Sequence, residues 1–155
     1  MKRFQIKVCG NNNIQNFKEI AAIEPDYVGF IFYPKSKRFV KDESIFEVFP
    51  NAEKVGVFVN ESIENILENV EQYKLDVVQL HGDETADFCE ELINQKHQRL
   101  LTDESFLDFK IWKAVGIKSI EDFQQLTTYQ QVVDSFVFDT KSVDYGGTGK
   151  KFDWQ

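Results

Sequence analysis

Positive charge is in short supply in this chain. Across 155 residues, 18 Lys and Arg face 26 Asp and Glu, giving a formal net charge of −8 and a pI near 4.8. Phosphate backbones need basic stripes, and the one notable basic cluster is Lys35, Lys37 and Arg38, so a nucleic-acid partner is not expected. A small anion is a different matter, because a local positive potential can hold one on an acidic protein. Cysteine is also scarce. Cys9 and Cys89 are too few and too far apart for a disulfide framework, and they read as free thiols in a reducing cytoplasm. No window approaches the roughly 18 apolar residues of a membrane span. Met1–Gly10 has a Lys-Arg pair but no apolar run of the kind a signal peptide carries. Cofactor fingerprints are missing too: Cys9-Gly10 leads into Asn11-Asn12-Asn13 where G-x-G-x-x-G would be needed, and there is no P-loop.

What is present suits one soluble globular domain, 42% apolar and 28% charged. The length allows a real core but not comfortably two domains, so residues 1–155 are read as one. Fifteen Phe raise the aromatic content to 14%, so large side chains build that core. Short β-branched or aromatic runs predict strands at Phe4–Cys9, Tyr27–Phe32, Val55–Val59, Val77–Leu80, Phe109–Ala114 and Ser135–Asp139. Several are continuously apolar, as a covered parallel strand requires. Helical patterns lie between them. Ile14, Phe17, Ile20 and Ala21 follow Asn12 and Asn13, which suit an N-cap. A shorter helix is predicted at Asp42–Phe49. Others begin at Ser62 (with Ile63, Ile66, Leu67 and Val70), at Thr85 (with Phe88, Leu92 and Ile93) and at Ser119 (with Phe123 and Leu126). Pro25 and Pro50 punctuate helix ends. Polar residues surround Leu100 and Leu101 in Gln95–Asp108, which reads as a surface excursion after the fourth helix, with room for a short extra helix. Repeated βα units leave two architectures, an open doubly wound sheet or a closed barrel.

Chemistry-bearing residues collect after the strands. Cys9-Gly10 follows the first, and Tyr33–Val40 with its basic cluster follows the second. Asn60-Glu61 follows the third, His81–Glu84 the fourth, and Asp139-Thr140-Lys141 with Gly146–Lys150 the sixth. Active sites of barrels and open α/β sheets lie at this end of the strands. Each residue also has an ordinary explanation. Cys9 could be a small buried hydrophobe, His81 a turn residue, Asp139 a turn cap, Lys35–Arg38 a solvated loop and Gly146–Gly149 a flexible one. Composition and spacing reach a small-molecule α/β enzyme and stop there.

The same residues carry a likeness. Lys7-Val-Cys-Gly10, Val28–Arg38, Val55–Asn60, Val78–Glu84 and Asp139-Thr-Lys with Gly146–Lys150 and Phe152-Asp-Trp154 resemble the sequence blocks of phosphoribosylanthranilate isomerases, in order and with similar spacing. The resemblance implies a (β/α)8 TIM barrel and an Amadori rearrangement in tryptophan biosynthesis, with no metal or organic cofactor and a small phosphorylated substrate. By position in the blocks, Cys9 matches the general base and Asp139 the general acid. A thiol base needs a cation such as Lys7 nearby. Arg38 matches the group that holds the anthranilate carboxylate, a task suited to a bidentate guanidinium. Gln79 and His81 match pocket residues, and Gly147 lies in a segment resembling a mobile loop over the substrate.

Asn11-Asn12-Asn13 departs from the residues more usual after Cys-Gly. A (β/α)8 barrel takes at least about 200 residues, so the chain is expected to hold the first six βα units and lack the last two, with the phosphate site beyond Gln155. Monomer and homodimer both remain open, as do another phosphoribosyl or indole-pathway barrel and an inactive fragment that associates through open sheet edges.

Overall fold

Among the described residues, six strands form where apolar runs predict them: β1 (Lys7–Cys9), β2 (Tyr27–Ile31), β3 (Glu53–Phe58), β4 (Val77–Leu80), β5 (Lys110–Ile117) and β6 (Ser135–Thr140). The structure, a computed structural model, describes residues 4–140 apart from 12, 42 and 50. All six strands are parallel and hydrogen-bonded in sequence order, β1 to β2 and so on to β6. A doubly wound sheet would reverse its order at a switch point. An unbroken sequential order is the winding of a barrel, and the fold is α/β of the TIM-barrel type.

Side chains alternate between two faces along each strand, and two separate apolar clusters result. Tyr27, Ile31, Val55, Val57 and Val77 gather on the inner face with Tyr33 and Trp112 beside them. Val28, Phe30, Phe58, Val78, Leu80 and Ile111 face outward and are covered by the helices. The phenylalanines do most of the filling there. Phe17 stacks on Phe30 at 5.8 Å, and Phe30 meets Phe46 at 4.3 Å.

Helix α1 (Ile14–Ala21) starts at Asn13, whose side chain accepts from the Gln15 N–H at 2.8 Å. Helix α2 (Ile63–Tyr73) starts at Ser62, which accepts from Asn65 N–H, and ends at Lys74 in the left-handed conformation. Its Ile66, Leu67 and Val70 are buried as their spacing predicts. Helix α3 (Ala86–Thr102) is capped by Thr85 and runs further than expected, through most of the segment read as a surface excursion. Polarity alone does not end a helix. Gln95–Thr102 contains neither Gly nor Pro, and its Gln, Lys, Arg and Leu are good helix formers.

Two of the expected helices are 3-10 segments, Glu43–Glu47 and Ile120–Thr128. The second buries no residue, so it lacks the packed face that favours a regular α-helix. β1 is shorter than expected. Its ladder begins at the Lys7–Tyr27 pair, leaving Phe4 93% and Ile6 53% exposed. β5 is longer, because Val115, Gly116 and Ile117 find partners on β6.

Candidate active site at the carboxyl ends of the strands

The strand ends converge on a cavity of about 230 Å³. Cys9 comes from β1, Arg38 from the loop after β2, Gln79 and His81 from β4 and its end, and Asp139 from β6. Lys7 lines the cavity two residues below Cys9, on the same face. Ile31, Val57, Val59 and Val137 supply its apolar wall. Six of the seven residues singled out in the sequence therefore share one cavity. The seventh, Gly147, lies outside the described residues, as does the whole Gly146–Lys150 segment.

Two glycines make room for this arrangement. Gly29 pairs with Cys9 across the β1–β2 ladder. A Cβ at Gly29 would stand 2.4 Å from Cys9 Sγ and 3.1 Å from Lys7 Nζ, so the thiol and ammonium occupy the space a side chain would take. Gly10 has φ +83°, which disfavours any L side chain, and a Cβ there would meet Arg38 Nη1 at 2.6 Å. The exposed Arg38 guanidinium thus lies against the turn that leaves Cys9.

A polar chain crosses the floor. Lys7 Nζ donates to Gln79 Oε1 at 2.7 Å. Gln79 Nε2 lies 2.8 Å from His81 Nδ1, and His81 Nε2 lies 3.5 Å from Asp139 Oδ2. The other carboxylate oxygen of Asp139 accepts from Thr140 N–H at 2.7 Å. Burial pushes the pKa of Lys7 down from its ordinary value, opposed by charge attraction and a hydrogen bond to Cys9. Burial also pushes His81 down. Asp139 opposes that shift, while the positive charges of Lys113 and Lys7 add to it. Burial and the two lysines thus favour the neutral ring, in which one nitrogen donates and the other accepts.

Sequence reasoning missed some of what surrounds the site. Tyr33 and Ser36 line the cavity from within the block that supplied Arg38, and that block was their only signal. Lys113 was passed over inside an apolar strand. It is nearly fully buried and ion-paired at 3.2 Å with the equally buried Glu84. Lys113 also donates to the carbonyl of Gly82 at 2.8 Å, while Glu84 accepts from the N–H groups of Asn60 and Gly82. This pair braces the turn that follows His81. The remaining thiol, Cys89, is buried in the core, and burial pushes its pKa up to about 11. Among the described residues, no cluster of His, Cys, Asp and Glu could hold a metal ion, and no helix is long and apolar enough to cross a membrane.

Residues 6–155 match the family described as N-(5′-phosphoribosyl)anthranilate (PRA) isomerase. A relative of that name from Parabacteroides distasonis is 42% identical over 154 residues, which cover 96% of this chain and 64% of the relative. The fold is similar to that of a phosphoribosylanthranilate isomerase from Thermotoga maritima, solved as monomers of a dimeric protein. Its TM-score is 0.72 with 33% identity, covering 92% of this chain and 66% of that one. It is also similar to a phosphoribosyl anthranilate isomerase in complex with reduced 1-(o-carboxyphenylamino)-1-deoxyribulose 5-phosphate, with a TM-score of 0.69 and 29% identity over 90% of this chain and 66% of that one. The chain thus spans slightly less than two thirds of the length of each of these proteins.

Proposed function

Because the chain belongs to the N-(5′-phosphoribosyl)anthranilate isomerase family, we propose that it carries the proton-transfer machinery for the Amadori rearrangement of N-(5-phosphoribosyl)anthranilate to 1-(2-carboxyphenylamino)-1-deoxyribulose 5-phosphate. The observation that carries this reading is the meeting of Cys9 and Asp139, from the two ends of the six-strand order, on one cavity beside Arg38. The reaction needs an acid for the ring oxygen as the furanose opens to a Schiff base, and a base for the C2 proton. Asp139 serves as the acid and Cys9 as the base, with the Lys7 ammonium close to the thiol. Arg38 holds the anthranilate carboxylate through its planar pair of N–H donors. Gln79 and His81 lie between the two proton-transfer groups, and Gly147 is carried over as a substrate-binding residue by the family likeness alone. Such a reaction calls for no metal or organic cofactor.

The substrate is a small phosphorylated molecule, and residues 1–155 act as one domain. Free thiols fit a cytoplasmic setting. Monomer and homodimer both suit this chain, the Thermotoga relative being a dimeric protein solved as monomers. The test uses this polypeptide extended to the relatives' length with the corresponding C-terminal segment of a relative, following the fluorescence loss of phosphoribosylanthranilate. Cys9→Ser and Asp139→Asn should each lower kcat by ~10²–10⁴-fold with a much smaller effect on KM. Arg38→Ala should act mainly by raising KM. Near-normal kcat in Cys9→Ser would assign the base to another residue.

A further inference from the structure

The hydrogen bonds on the cavity floor have a direction. An ammonium can only donate, so the Gln79 atom facing Lys7 at 2.7 Å is the carbonyl oxygen Oε1. That fixes the amide's orientation and leaves its NH2 group 2.8 Å from His81 Nδ1. An amide nitrogen donates and does not accept, so Nδ1 must offer its lone pair. An Nδ1 that accepts leaves the ring a single proton, which sits on Nε2, on the side of Asp139 Oδ2 at 3.5 Å. We propose that Gln79 is a positioning residue, oriented by Lys7, which fixes His81 as the Nε2–H tautomer and so turns its only donor toward Asp139.

The consequence for chemistry rests on the reading of Asp139 as the acid. Once Asp139 has given up its proton, the Nε2–H is a ready donor to the carboxylate left behind, complementing the bond from Thr140 N–H. With the opposite tautomer, a lone pair would face that anion and repel it. The base side and the acid side of the cavity are thereby linked through one amide.

The tautomer is read without substrate, from ¹⁵N chemical shifts of the histidine ring in the folded polypeptide, with His81 identified by comparison with His81→Gln. The expected result is a protonated Nε2 and a bare Nδ1 that shows a through-hydrogen-bond coupling to the Gln79 side-chain nitrogen. A protonated Nδ1 would overturn the proposal. In Gln79→Glu the carboxylate cannot donate, so the proton should move to Nδ1 or the ring should take a second one. Where that buried charge prevents folding, Gln79→Met gives the same reading. Its ring shifts should move toward the averaged values of free imidazole, whereas unchanged shifts would show that Asp139 alone sets the tautomer and would overturn the role of Gln79. The readout is independent of turnover. If the extended protein of the activity assay were inactive while His81 kept the stated tautomer, the isomerase reading would fall and this one would stand, and the reverse result would do the opposite.

Discussion

A methyl group at position 29 would land 2.4 Å from Cys9 Sγ and 2.9 Å from its Cβ. Cys9 is joined to its backbone by a single short arm and cannot yield without leaving its place over the cavity. Gly29→Ala should therefore displace the thiol. Overpacking of this kind costs about 1–3 kcal/mol of stability, and misplacing a reacting group by ~1 Å can cost ~10²-fold in rate. The expected outcome is a fall in kcat well beyond the modest loss seen in urea denaturation. Wild-type kcat in a folded Gly29→Ala protein would show that Cys9 need not occupy its observed position. At this scale the sequence was informative about which residues matter and silent about what spaces them. Cys9, Arg38, His81 and Asp139 stood out by following apolar runs, whereas Gly29 reads as an unremarkable residue inside one. Its meaning appears only when β1 and β2 pair in register and bring Cys9 alongside it.

Elements were legible wherever a local pattern decides them. Among the described residues, Asn13, Ser62 and Thr85 cap the α-helices, and Phe17, Ile66, Leu67, Val70 and Leu92 of their apolar stripes are buried, because capping and periodicity act within a few residues. The end of α3 was misplaced, since no local stop signal separates Gln95 from Thr102 and polarity is a poor substitute for one. Least legible was the brace between β4 and β5. Lys113 and Glu84 are 29 positions apart and meet only after their strands become neighbours. The pair is almost dry, with side chains 4% and 2% exposed, so removing one partner leaves a buried charge. Lys113→Met should destabilise the fold by roughly 3–5 kcal/mol, and adding Glu84→Gln should recover part of that loss. Urea denaturation of the two variants measures both effects. A cost for Lys113→Met below about 1 kcal/mol would put the pair in the range of exposed salt bridges and deny it the bracing role.

For the whole molecule, repeated βα units could not by themselves choose between an open sheet and a barrel. The choice depends on which strands hydrogen-bond, a long-range property, and here it came from the family likeness and then from the sequential strand order. Among the described residues, β1 and β6 each pair along one side only, and Ile6 and Phe138 beside these edges are 53% and 42% exposed. Such edges invite pairing with further strands. The relatives hold about a third more of their length than this chain matches, and in barrels the loops after the seventh and eighth strands commonly bind phosphate. A phosphate would take no part in the proposed proton transfers, yet its binding energy can hold a sugar between Cys9 and Asp139. Joining β6 back to β1 would also fix the distance between those two residues. The 155-residue polypeptide as a monomer should therefore turn over phosphoribosylanthranilate slowly, and adding a relative's C-terminal segment in trans should raise kcat/KM by at least ~10²-fold, well within what positioning can supply. Sedimentation run beside the fluorescence assay separates this effect from pairing between copies of the chain. Equally fast turnover by the monomer with and without the segment would show that phosphate anchoring and sheet closure are dispensable for bringing acid and base to the sugar.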